Sequence, residues 1–166
     1  MSAHLQEAVS VPSYIVTLTA YNAVPEQTDA DPFTTASGAY SNPEVVAARS
    51  GNLADELPFG TIIELDGSNL TSDGTCGYSV VAHRIGYRVI ADTMNARFTD
   101  RIDVLFDTTA SYSTTDKGMK NAAEILGICK GISVRVVGHV AQNHIPKTQL
   151  ELARLVKGGT SALALK

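Results

Sequence analysis

Hydrophobic and polar positions alternate first between Tyr14 and Tyr21, and the enrichment there in β-branched and aromatic residues predicts a strand. Residues 1–12 before it read as a loose lead-in. From Asn22 to Asn52 the pattern is lost in small and polar residues punctuated by Pro25, Pro32, Gly38, Pro43 and Gly51. Structureless stretches of that length are commonly functional or mobile, and within this one Val45 to Ala48 suits a short strand or a turn. Alternation returns over Thr61 to Leu65, after a Pro58–Gly60 turn, and two clusters of turn residues follow, Asp66 to Asn69 and Ser72 to Gly74. Tyr78 to His83 and Gly86 to Ala91 read as strands joined by a tight turn, and Arg101 to Phe106 as another.

The period lengthens over Asp116 to Leu126, where Met119, Ala122, Ala123 and Leu126 share one helical face and Gly127 sits at the C-cap position. Ile132 to His139 is the last strand. A tail helix over Thr148 to Val156 is expected to stop at Gly158 and Gly159. Six or seven short strands with one internal helix suit a small closed barrel, because a doubly wound sheet needs a helix between successive parallel strands. The barrel is assigned to residues 13–140 and a helical tail to 141–166.

A chain of 166 residues is long enough for one domain and short for two. Its net charge of −4, with Lys and Arg scattered, lacks the basic stripe that nucleic acid requires. No apolar run approaches the length of a membrane span. Met1 to Ser13 has neither the basic region nor the apolar core of a secretion signal. Cys76 and Cys129 allow one pairing, and the sequence does not say whether they form it or remain two buried thiols. His83, His139 and His144 show no metal-ligand spacing, so no metal and no cofactor are expected; His83, ending its strand, is a lesser candidate for a cleft.

Candidate chemistry concentrates between Val89 and Phe106. Asp92 ends one apolar strand and Asp103 interrupts the next, between Ile102 and Val104. A carboxylate inside a β-rich run needs partners or a raised pKa. Two carboxylates brought together in a cleft would keep one protonated, as general-acid cleavage of a glycosidic bond requires. The plainer alternative has Asp103 paired with Arg101 or Arg97, or capping a turn.

The unit from Ala91 to Phe106 resembles the signature of three-aspartate (3D) domains, an Asp-Thr-Gly-Gly turn followed by an Arg-Ile-Asp strand, with the same spacing from Asp92 to Asp103. Leu57 to Ile63 is similar to that family's Pro-x-Gly-Thr strand start, Thr17 to Tyr21 to its opening Thr-x-Thr-x-Tyr strand, and Lys120 to Gly127 with the strand from Ile132 to its helix, glycine and final strand. Thr35 to Gly38 resembles a segment of the related rare-lipoprotein-A-like barrels. The resemblance implies a six-stranded double-psi β-barrel and, as in its lytic transglycosylases, cleavage of the MurNAc–GlcNAc bond of peptidoglycan to a 1,6-anhydro product. It implies Asp103 as acid/base, Asp92 as stabiliser of the sugar cation or tuner of Asp103, and Thr19, Tyr21, Asn95 and Arg101 along the substrate.

Two departures bear on this. The family's first aspartate falls at Leu53 here, so either Asp55 is routed into the cleft or that carboxylate is missing. The two glycines of the turn are replaced by Met94 and Asn95, which moves any positive φ onto Asn95 and sets a bulky side chain at the cleft lip. The alternative function is therefore a non-catalytic barrel that binds or remodels wall polysaccharide. A more distant one is an assembly module using the 22–52 loop. The first two place the protein in the cell envelope or outside the cell, with the glycan strand as partner.

Overall fold

The computed structural model describes residues 13–22, 33–70, 76–107, 111–114 and 118–165. The lead-in expected over 1–12 lies outside them. The described residues are mainly β and form eight strands: β1 (Ser13–Asn22), β2 (Val46–Arg49), β3 (Thr61–Asp66), β4 (Tyr87–Thr93), β5 (Arg101–Phe106), β6 (Ser111–Thr114), β7 (Gly118–Asn121) and β8 (Cys129–His139). Three α-helices accompany them: α1 (Tyr78–Val81), α2 (Ala122–Leu126) and α3 (Gln149–Leu165).

Six strands close a barrel in the order β1-β5-β2-β4-β3-β8, while β6 and β7 form a separate hairpin. Two neighbouring pairs are parallel, β1 with β5 and β2 with β4, and the other four are antiparallel. The closed barrel of six strands expected from the sequence is present. Its least conspicuous strand, β2, is inserted between β4 and β5 and is buried along its whole length.

Strand alternation divides the apolar residues into two clusters. One takes alternate residues from all six barrel strands, among them Leu18, Ala47, Ile63, Ile90, Val104 and Ile132, and is extended by Val81 of α1 and Leu126 of α2. The other takes Tyr21, Ala48, Ile62, Val89 and Leu105, and receives Leu152 and Val156 from α3. Cys76 and Cys129 are joined by a disulfide, which ties the segment before α1 to the start of β8.

Three expected elements differ. Tyr78 to His83 is not a strand: it forms α1 and a 3-10 turn, Ala82–Arg84. Tyr78, Val81 and Ile85 recur at helical spacing and turn into the first cluster, while Val80, whose β-branched side chain argued for a strand, is exposed. The internal helix is shorter than expected. Gly118–Asn121 is β7, and the helix begins at Ala122 because Asn121 and Glu124 form a capping box, with Asn121 Oδ1 accepting from the Ala123 N–H at 2.8 Å. Gly127 does cap its end, at φ 63°. Finally, α3 runs past Gly158 and Gly159 to Leu165. A glycine costs a helix only about 1 kcal/mol relative to alanine, which does not by itself stop it.

Candidate active site

Four adjacent strands carry a single transverse row of paired residues. Thr19 on β1 is level with Asp103 on β5, Asp103 with Ala48 on β2, and Ala48 with Asp92 on β4. The two carboxyl groups therefore flank a strand whose intervening side chain is one methyl. Asp92 reaches this row through a bulge: Ala47 pairs with Ile90, yet the next residue, Ala48, pairs with Asp92. Skipping Ala91 re-aims Asp92, which strict alternation would put on the face of Ile90, toward the side of Asp103.

The row opens into a cleft of about 430 Å³ whose lining includes Tyr21, Ala48, Asp92, Asp103, Asn95 and Phe98. Asp103 is the chemically unusual group. Burial pushes its carboxyl from 3.8 up to about 7, against the Thr19 hydrogen bond and the Arg101 charge, which favour the anion; Asp92 adds a smaller push upward. The proton is thus held mainly by desolvation, and only secondarily by the like-charge pairing that the sequence suggested. Thr19 Oγ1 donates to Asp103 Oδ1 at 3.0 Å and fixes the carboxyl plane. Among the described residues Asp103 forms no salt bridge, so Arg101 acts on it only through its charge at longer range.

Asp92 is bound differently. Its Oδ1 accepts from the backbone N–H of Ala36 at 2.8 Å and of Thr93 at 3.0 Å, and its Oδ2 from the Tyr21 hydroxyl at 2.9 Å. Tyr21 lies on the cleft floor with its ring almost wholly buried, and burial followed by the Asp92 charge raises its own pKa far above the ordinary value. Three donors on one carboxylate leave it little capacity for a substrate. They also dock the turn Thr35–Gly38, which is braced by Ser37 N–H to Ala91 O and closes on Gly38 at φ 90°.

Of the sequence candidates, Asp92, Asp103, Tyr21 and Asn95 line one cleft, and Thr19 touches it through Asp103. Arg101 does not line the cleft; its guanidinium stands 4.4 Å from the ring centroid of Phe98, which does. Asp55 does not line the cleft: it is exposed on the turn that follows the 3-10 helix Gly51–Leu53, beside exposed Glu56. Leu53, where the family pattern has its first aspartate, is buried in the first apolar cluster. The positive φ expected at Asn95 occurs instead at Asp100, φ 50°. Asp100 exchanges two hydrogen bonds with Asn52, and that clasp holds the left-handed turn. His83 lies on the Ala82–Arg84 turn and borders a different cavity.

Ala48, Phe98 and the Ala36 amide escaped the sequence reading. The alanine and the amide carry no side-chain signature, while Phe98 was legible only as part of the turn between the two aspartates. No protein-family model and no curated protein matches this chain.

Proposed function

We propose that the protein is a double-psi β-barrel of the three-aspartate kind that acts on the glycan strands of bacterial peptidoglycan as a lytic transglycosylase, with Asp103 as its acid/base. The two parallel pairs within an otherwise antiparallel six-strand closure are compatible with that topology. The observation that carries the activity is one half-buried carboxyl in an open cleft, protonated up to about pH 7 and fixed by Thr19. Asp103 protonates the glycosidic oxygen as the bond to the anomeric carbon breaks. It then accepts the proton of the sugar's own C6 hydroxyl as that oxygen closes the 1,6-anhydro ring. An intramolecular nucleophile needs no second carboxylate to activate water, so a site with one free acid suffices. The Cys76–Cys129 disulfide supports a location in the cell envelope or outside the cell, where such bonds persist.

A second reading, a barrel that binds wall polysaccharide without cutting it, is favoured by one specific observation: Asp92 is already occupied by three protein donors, and Asp55 stands outside the cleft. Digestion of purified peptidoglycan, with products identified by mass spectrometry, separates the two. Fragments ending in 1,6-anhydro-muramic acid, absent with Asp103→Asn, are expected. Retention on insoluble wall without fragments would leave the binding barrel, and neither would overturn the wall substrate.

A further inference from the structure

The loop between the two aspartates carries a feature that acid catalysis does not use. The guanidinium of Arg97 stands 4.8 Å from the centroid of the Phe98 ring and that of Arg101 stands 4.4 Å from it, so two cations share one aromatic side chain. Phe98 itself lines the cleft beside Asp103. Neither guanidinium forms an ion pair among the described residues. The nearest acid along the chain, Asp100, accepts at its Oδ1 from the Asn52 amide.

The loop is also preset. Asn95 Oδ1 accepts from the Arg97 N–H at 3.0 Å, Asn95 O accepts from the Phe98 N–H at 3.0 Å, and the Asp100–Asn52 clasp closes the far end. Both cations stand against one ring that lines the cleft, Arg97 is exposed, and the one acid acting on either among the described residues is Asp103 on Arg101, in a protein of net charge −4. The planar donor forks of arginine match a carboxylate in particular.

We propose that Arg97 and Arg101, held on Phe98, form a subsite for a carboxylate carried by the substrate next to the bond presented to Asp103. The source of that carboxylate, a free carboxyl of the peptide stem on the glycan, rests on the wall reading above. The two acids of the cleft do not forbid an anion there: Asp92 already accepts from three protein donors, and Asp103, pushed up to about 7, is ionised only in part at neutrality. The subsite would select wall in which stem carboxyls are free over wall in which they are amidated.

The test has two arms. In the first, the Arg Nε–Hε resonances of the ¹⁵N-labelled protein are followed during titration with N-acetyl-D-glutamate, a probe without a sugar, against chloride at equal ionic strength. Saturable shifts of the Arg97 and Arg101 signals beyond those given by chloride are expected. In the second, Asp103→Asn protein, which still binds but does not cut, is partitioned on native and on carboxyl-amidated sacculi. Native sacculi are expected to retain it at least about tenfold better, as two charge-assisted hydrogen bonds imply, and Arg97→Gln/Arg101→Gln should abolish the preference. Equal retention on both sacculi, with no shift beyond chloride, overturns the subsite and leaves wall binding intact. Arginine shifts without retention on either wall sustain the anion site and overturn the wall as its source.

Discussion

At Asp103, burial opposes ionisation more strongly than Thr19 and Arg101 favour it, and the outcome is a carboxyl pushed up to about 7. That has a cost in stability with a definite sign. In the unfolded chain the group ionises near 3.8, whereas in the fold it does so near 7. Between those values the fold holds a proton that the unfolded chain has released, so stability falls as pH rises through this window and stays lowered above it. Asp103→Asn keeps the shape and the acceptor for Thr19 but does not titrate. It should therefore stabilise the protein by roughly 2–4 kcal/mol at pH 8 and by little at pH 4. Urea denaturation of both proteins at the two pH values checks this. An equal effect at both would mean that Asp103 ionises in the fold like any surface carboxylate. The same substitution should abolish cleavage, which is the trade between stability and activity expected of a strained catalytic group.

The neighbouring acid does a different job, and its prediction is structural. Asp92 holds the Ala36 amide, so Asp92→Ala should release the Thr35–Gly38 turn from the cleft wall. Hydrogen exchange at Ala36 and Ser37 is expected to accelerate by about tenfold or more, as loss of a charge-assisted bond implies, while amides of β5 stay protected. Unchanged exchange at Ala36 would show that the turn is held by its own internal bonds.

Among the elements, β2 and β4 depend on one buried cation. Arg88 is fully buried, and its guanidinium donates to the carbonyls of Pro43, Arg84, Ile85, Val46 and Leu105, so that it joins β4 to β2, to β5 and to the turn before β4. Burial lowers its pKa to about 9, which still leaves it charged at neutral pH. Arg88→Met would strand several buried carbonyls at once and should cost roughly 3–5 kcal/mol in urea denaturation. Arg88→Lys should recover only part of this, because an ammonium has three donors and no planar fork. A loss below about 1 kcal/mol for Arg88→Met would mean that water replaces the guanidinium in this site.

At this scale the sequence was an uneven guide. The strands β1, β3, β4, β5 and β8 were legible because alternation with β-branched residues leaves a period of two. β2 was ambiguous, since Val46 to Ala48 is buried at every position and so has no period to read. α1 was misread because Tyr78, Val80 and Val81 favour strands by propensity, and only the spacing of Tyr78, Val81 and Ile85 betrayed the helix. In the cleft, Asp92 and Asp103 stood out as polar residues in apolar strands. Their alignment through Ala48, the bulge that turns Asp92 and the amide of Ala36 are properties of register and backbone, which side-chain identities do not spell out.

Over the whole molecule, the Cys76–Cys129 bond links points 53 residues apart in sequence, and the loop it closes contains β4 and β5, and with them both cleft aspartates. Cys129 is level with Leu18 on β1, one residue before Thr19. The cross-link therefore fastens the seam between β1 and β8 beside the strand that orients Asp103, while its other end fixes the segment leading into α1. Gly77, next to Cys76, sits so close to the carbonyl of Ile125 that an added Cβ would lie 2.0 Å from that oxygen, which brings α1 and α2 together at the same place. Restricting so long a loop in the unfolded chain is worth roughly 4 kcal/mol by the chain-entropy relation. Cys76→Ala/Cys129→Ala should lower the unfolding free energy by about that amount, and reduction of the wild type by dithiothreitol should do the same. Because the barrel strands close through β1 and β8, the loss should appear as one cooperative shift of the whole transition rather than as a separate early phase. A reduced protein with unchanged urea midpoint would show that the apolar core alone holds the seam, and would remove the disulfide as support for an oxidising location.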